Sequence, residues 1–213
     1  MYSLSFDVAK FEKYSLPQVS GQYVMPDDRT VVSIDKDGNP VSYFADDTWD
    51  FNAFFNLSGE IKSKYQIKFF SEQHQPKLLI ELKQRIYFLI WGAKGELLHM
   101  GGETFRKFSQ CRNTANYVIN TLKCFKNTAI DSFTYLSNEL VFSQILHNSQ
   151  TLSERTVLQT LHALSVLTQV NKHFPPQYHY SLGLPEEKTI DQIAKQYAAS
   201  GKGHYPTLKH PLI

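Results

Sequence analysis

The period of the apolar residues changes at Pro76, and that change constrains the chain more than any other feature. Downstream, Leu79, Leu82, Ile86, Leu89 and Ile90 recur at steps of three, four, three and one. This spacing predicts a helix over residues 76 to 91, stopped by Gly92 and Gly95. Upstream, the first 70 residues are rich in aromatic and β-branched side chains and lack helical periodicity, so strands are expected there. Val31-Val-Ser-Ile34 and Val41-Ser-Tyr-Phe44 flank Asp35-Lys-Asp-Gly-Asn-Pro40, a hairpin signal in which Gly38 suits positive φ. Tyr65-Gln-Ile-Lys-Phe69 reads as a further strand.

After the Gly101-Gly102 stop, Phe105, Phe108, Ala115, Val118, Ile119, Leu122 and Phe125 mark one face of a long helix between Thr104 and Asn127. A shorter helix runs from Ser137-Asn-Glu-Leu to about His147. Ser153 is suited to cap a helix with the stripe Val157, Leu158, Leu161, Leu164 and Leu167, ending near Lys172. A last helix from about Pro185 to Ala199 uses Ile190, Ile193, Ala194 and Tyr197 as its buried edge. Prolines exclude regular structure in His204-Tyr-Pro-Thr-Leu-Lys-His-Pro211. The expected fold is α+β, mainly α. A small β-rich subdomain containing the hairpin spans residues 1–75. A helical domain of four to five helices spans 76–199, and 200–213 forms a flexible linker or tail.

With 42% hydrophobic and 20% charged residues in a chain of 213, extensive disorder is excluded. Residues 1–100 carry 11 Lys/Arg against 13 Asp/Glu, and residues 101–213 carry 11 against 7, so the basic excess lies in the helical half. Cys111 and Cys124 fall about 20 Å apart along one helix, too far for a disulfide. The N-terminus does not read as a signal peptide, and Ile86–Trp91 is far shorter than the roughly 20 residues that span a bilayer. A soluble, cytoplasmic protein without membrane association is expected.

Catalytic motifs are not found. The sequence has no Walker or dinucleotide-type glycine loop, no Cys-x-x-Cys, no His-Glu-x-x-His and no Gly-x-Ser-x-Gly. The eight histidines show no metal-ligand spacing, His173 and His179 being the nearest approach, so neither a metal nor another cofactor is expected. Asp46, Asp47 and Asp50 offer a carboxylate cluster for metal or acid/base chemistry. Beside Trp49 they read more simply as a solvated turn around an aromatic side chain plugged into the core. Trp91 and the run 86–91 also read as core. Arg106, Lys107, Arg112, Lys123 and Lys126 decorate the long helix, and Ser153, Arg155, Thr156 and Gln159 crowd the first turns of another. These residues suit phosphate contact and equally suit an ordinary solvated face.

The order of segments adds weight to the first option. A Gly-Gly turn leads into Arg112-Asn-Thr-Ala-Asn-Tyr-Val-Ile-Asn-Thr-Leu-Lys-Cys-Phe125, followed by Leu136-Ser-Asn-Glu-Leu140 and Leu152-Ser-Glu-Arg-Thr-Val-Leu-Gln-Thr-Leu-His-Ala-Leu-Ser-Val-Leu167. This succession resembles the core-binding region of the large tyrosine recombinases, or integrases, of bacterial mobile elements. Gly203–Ile213 resembles their lead into the catalytic domain, and Val31–Phe51 their N-terminal extension. The resemblance implies a double-stranded DNA partner, further recombinase subunits as partners, and a role in integration or recombination. In that family a separate domain supplies an Arg, a Lys, His-x-x-Arg and a nucleophilic Tyr. No His-x-x-Arg occurs here, so no catalytic residue is assigned and no enzyme is expected. By helix face, Lys107, Arg112, Lys123 and Lys126 are expected at phosphates, with Arg155, Thr156 and Gln159 near the groove. The alternative function is a protein-interaction or inhibitory accessory module that uses the acidic N-terminal part; an enzyme built on the aspartates ranks third.

Overall fold

A computed structural model describes residues 18–19, 22–55, 62–91, 104–125, 128–148, 153–185 and 187–197. It is mainly helical, with short antiparallel strand pairs at the N-terminal end, as the periodicities require. Strand β1 (Gln18–Val19) pairs with β2 (Gln22–Tyr23), β3 (Val31–Ile34) with β4 (Pro40–Tyr43), and β5 (Thr48–Asp50) with β6 (Gln66–Lys68). A short helix, α1 (Asn52–Phe55), follows β5. The larger helices are α2 (Pro76–Trp91), α3 (Thr104–Leu122), α4 (Glu139–Asn148), α5 (Glu154–Thr168) and α6 (Ile190–Tyr197), with 3-10 turns between several of them. The expected tail 200–213 and the glycine stops at 92, 95 and 101–102 lie outside the described residues.

The hairpin forms where the turn residues place it. The Asp35 carboxylate accepts the N–H groups of Asp37 and Asn39, each at 2.8 Å, and the Asn39 side chain at 3.0 Å, while Gly38 takes φ 85°. The bond from the Asn39 side chain is the main reason the Asp35 carboxyl is held below the usual carboxylate range. The alternation in β4 is inverted relative to hydrophobicity: Ser42 is buried and Val41 exposed. The physical reason is a polar seam. Ser42 Oγ accepts the Asp50 N–H at 2.8 Å and Ser33 Oγ donates to the Asp50 carbonyl, so two buried hydroxyls join the hairpin to β5. Trp49, fully buried, packs edge-on against Phe69 with ring centroids 4.6 Å apart.

Helix α2 begins with Pro76 in the first turn, where its missing N–H costs nothing. It is buried nearly all round rather than along one stripe, so it lies inside the molecule. One continuous apolar core runs from Val32, Trp49 and Phe69 through α2 to Val118, Leu164 and Ile193, so the β part and the helical part share it. Helix α3 packs on α2 and α5, and α5 on α6.

Three helices are shorter than the periodicity suggests: α3 gives way at Leu122 to the 3-10 turn Lys123–Phe125, and α5 and α6 are cut back for local reasons. Helix α5 ends at Thr168 rather than near Lys172, because the Gln169 N–H closes a tighter turn onto Val166 and Asn171 is drawn inward. Helix α6 starts at Ile190 rather than near Pro185. Thr189 caps it reciprocally, Oγ1 accepting the Gln192 N–H at 3.3 Å while Gln192 Oε1 accepts the Thr189 N–H at 2.9 Å.

Candidate nucleic-acid interface

The apolar face of α3 is buried as its spacing requires, from Phe108 and Cys111 to Ala115, Val118, Ile119 and Leu122. The polar face carries the expected cations, but they are not equivalent. Arg112 is half-buried and tied inward: Nη1 donates to the Lys64 carbonyl at 2.7 Å and Nη2 to Asn113 Oδ1 at 3.1 Å. It therefore staples α3 to the 3-10 turn Lys62–Tyr65, a structural task that helix-face reasoning did not anticipate. Lys123 is exposed, and its Nζ sits 5.7 Å from the centre of the Phe70 ring. Lys123 lies in the 3-10 turn Lys123–Phe125 that follows α3, eleven positions after Arg112. Lys107 belongs to α3 but its side chain lies outside the described residues, as does Lys126 altogether.

On α5 the cap forms as expected. Ser153 Oγ accepts the Thr156 N–H at 3.2 Å and lies 2.8 Å from Thr156 Oγ1. The Thr156 hydroxyl is thus engaged in the helix's own cap, and Gln159 is half-buried. Arg155 is exposed. Among the described residues, Arg112, Lys123 and Arg155 have no carboxylate partner, unlike Lys77, which reaches Asp131 at 2.7 Å.

The aspartates near Trp49 are consumed by the fold. Asp46 accepts the Tyr43 N–H at 2.8 Å, Asp47 the Ser71 hydroxyl at 2.7 Å, and Asp50 the Gln66 amide at 2.8 Å together with Asn52. His173 stacks on Phe88 with centroids 5.2 Å apart, and a His179 ring nitrogen lies 2.8 Å from the Phe174 carbonyl. No group of three or more His, Cys, Asp or Glu among the described residues is arranged to hold a metal. None of the described helices is long and apolar enough to cross a membrane.

Sequence reasoning missed the polar centre of the molecule. Arg85, fully buried, donates from Nε and Nη2 to Glu81 Oε1 at 3.1 and 2.7 Å, from Nη1 to Asn171 Oδ1 at 3.0 Å and from Nη2 to the Tyr178 carbonyl at 2.7 Å. Its guanidinium lies over the rings of Phe174, Tyr180 and Phe133 at 4.4, 4.6 and 5.2 Å. Glu81 Oε2 accepts the Phe133 N–H at 2.9 Å. The available signal was the i, i+4 Glu–Arg pair inside an otherwise apolar helix.

Phe70 was also missed. It is the one non-glycine residue with positive φ among the described residues, at φ 51° and ψ 55°, and it stands 48% exposed. No protein-family model, no curated protein and no solved structure matches this chain.

Proposed function

We propose that this chain is a DNA-binding module of the tyrosine-recombinase kind, acting in the cytoplasm in integration or recombination of a mobile element without itself carrying the strand-cleaving residues. One observation carries the reading: Lys123 and Arg155 are exposed on the helical part with no carboxylate partner among the described residues. Their positive charge is therefore not cancelled locally, and uncancelled surface cations are what a phosphate backbone recruits. The charge distribution supports the same orientation. Residues 104–197 hold nine Lys/Arg against six Asp/Glu, whereas residues 24–75 hold five against nine. Duplex DNA would meet the helical side and be repelled by the hairpin side.

The test is fluorescence anisotropy of the full chain with duplex DNA flanking its own gene and with a scrambled duplex, across a salt series. Tight, sequence-dependent binding is expected, with an affinity that falls steeply as salt rises. A Lys123→Gln/Arg155→Gln variant spares the structural Arg112 and should flatten the logarithmic salt slope by about two. Equal, weak binding to both duplexes, or an unchanged slope in the variant, overturns the proposal.

A protein-interaction or inhibitory accessory role is the second reading. The acidic hairpin side favours it: residues 24–75 hold five Lys/Arg against nine Asp/Glu, a charge pattern that suits a basic protein surface. It predicts a stable complex with a protein and only sequence-blind DNA binding.

A further inference from the structure

Phe70 and Phe69 are neighbours with opposite fates. Phe69 is fully buried against Trp49, while Phe70 turns its ring into solvent by adopting the left-handed backbone conformation that a bulky side chain normally avoids. Asp47 holds the chain on both sides of it: its carbonyl accepts the Phe69 N–H at 2.9 Å and its carboxylate accepts the Ser71 hydroxyl at 2.7 Å. The Phe70 carbonyl is fixed in turn by the Gln73 N–H at 2.9 Å. A disfavoured conformation that is fixed at three points and displays an aromatic ring is a feature whose local cost calls for a role.

The surroundings indicate the occupant. Lys123 Nζ stands over the ring at 5.7 Å. Lys64 and Lys68, on the turn and strand that lead to Phe70, are both exposed. Of the acidic residues adjoining the ring in sequence and space, Asp47 has its carboxylate engaged by Ser71, and Glu72 lies two positions on.

We infer that Phe70 is a stacking platform for an unpaired nucleobase, with Lys123 and its basic neighbours holding the adjoining phosphates. Every base has a π-face, so such a contact tolerates any sequence, and it requires a base that is not already stacked within an intact duplex. The preferred ligand class is therefore DNA with a gap, a bulge or a single-stranded stretch. This inference rests on the DNA-binding reading above and narrows the class of DNA bound.

The experiment compares the full chain on three labelled probes of one sequence: an intact duplex, the same duplex with a one-nucleotide gap, and the single strand. The wild-type chain should prefer the gapped duplex to the intact one. Phe70→Gly removes the ring and relieves the backbone, so it should fold at least as well, verified by its thermal midpoint, and should lower the preference on the order of tenfold. Phe70→Trp should retain the preference, and neither variant should change the salt slope, which Lys123→Gln should reduce. Equal wild-type affinity for gapped and intact probes, or an unchanged preference in Phe70→Gly, overturns the inference and leaves duplex binding standing. Failure to bind any probe overturns both readings and directs Phe70 to a protein partner.

Discussion

Helix α2 buries two cations on opposite faces, and the molecule satisfies them in different ways. Lys83 and Arg85 are two positions apart, about 200° around the helix axis. Lys83 faces the β part, where Nζ donates to the carbonyls of Phe44, Ala45 and Asp46 at 3.0–3.1 Å and lies 5.1 Å from the Phe69 ring. Arg85 faces the helical part, where a carboxylate, an amide, a carbonyl and three rings surround it. A compact ammonium closes one turn, whereas a planar fork spans four separate segments of chain. Local closure puts neutral dipoles at hydrogen-bond distance, with the carboxylates of Asp47, Asp46 and Asp28 adding a longer-range attraction. Long-range closure at zero exposure uses a full counter-charge, because an uncompensated buried ion is far more costly than an unmet carbonyl.

The largest expected effect comes from breaking the charged side. Glu81→Gln or Arg85→Met alone should lose about 3–5 kcal/mol in urea unfolding, since each strands the other's charge. The double variant Glu81→Leu/Arg85→Met should lose far less than the sum of the two. A strictly additive double variant would show that the pair is not the unit. Next is Gly183→Ala, on the same side. Gly183 donates to the Leu136 carbonyl at 2.8 Å, and an added Cβ would lie 2.9 Å from backbone atoms of Asn138 and Glu139. Backbone cannot yield as a side-chain tip can, so a loss of about 1–3 kcal/mol is expected.

On the Lys83 side the effects are smaller and depend on pH. Lys83→Met should cost about 1–2 kcal/mol near neutrality, because three carbonyls lose a donor while the burial of a charge is relieved. Burial pushes the Lys83 amine below its ordinary value of 10.5. The unfolded chain therefore binds more protons than the folded one between the lowered value and 10.5, and stability rises with pH through that window. Tyr87 and Tyr180 act in the opposite sense. Burial raises both phenols above their ordinary 10.0, so their contribution is intact below pH 10 and is lost as the unfolded chain ionises above it. Thermal unfolding by circular dichroism from pH 8 to 11 should show the alkaline gain in wild type but not in Lys83→Met, with both declining above pH 10. The smallest effect, about 1 kcal/mol, is expected for Ser42→Ala, which removes the acceptor of the Asp50 N–H and is measurable in the same denaturant series.

The helices and the hairpin turn were legible because they rest on local chemistry: the apolar period of 76–91, the Ser153 cap, and the Asp35–Pro40 turn with its positive-φ glycine. The inward serines of the β part were not, since Ser33 and Ser42 are buried for partners on another strand pair, and alternation assigns serine to solvent. The candidate interface was legible only as a set of exposed cations. Helix-face reasoning separates Lys123 from the apolar stripe but cannot foresee that Arg112 would bind the Lys64 carbonyl, 48 positions earlier in the chain, or that Thr156 would turn back onto its own cap. Phe70 left no trace in the pattern, because its outward ring depends on Asp47, which is distant in sequence.

The reach of Arg85 also sets a timetable. The Tyr178 carbonyl it binds lies 93 positions later in the chain. At about 5–20 residues per second, ribosomal synthesis leaves α2 without that partner for roughly 5–20 s after Arg85 is made. Throughout most of that interval a mostly apolar helix carries an ion pair without the rings of Phe174 and Tyr180, so the nascent chain passes through a period in which its buried charges are incompletely enclosed. Completion of the 171–180 segment ends that period.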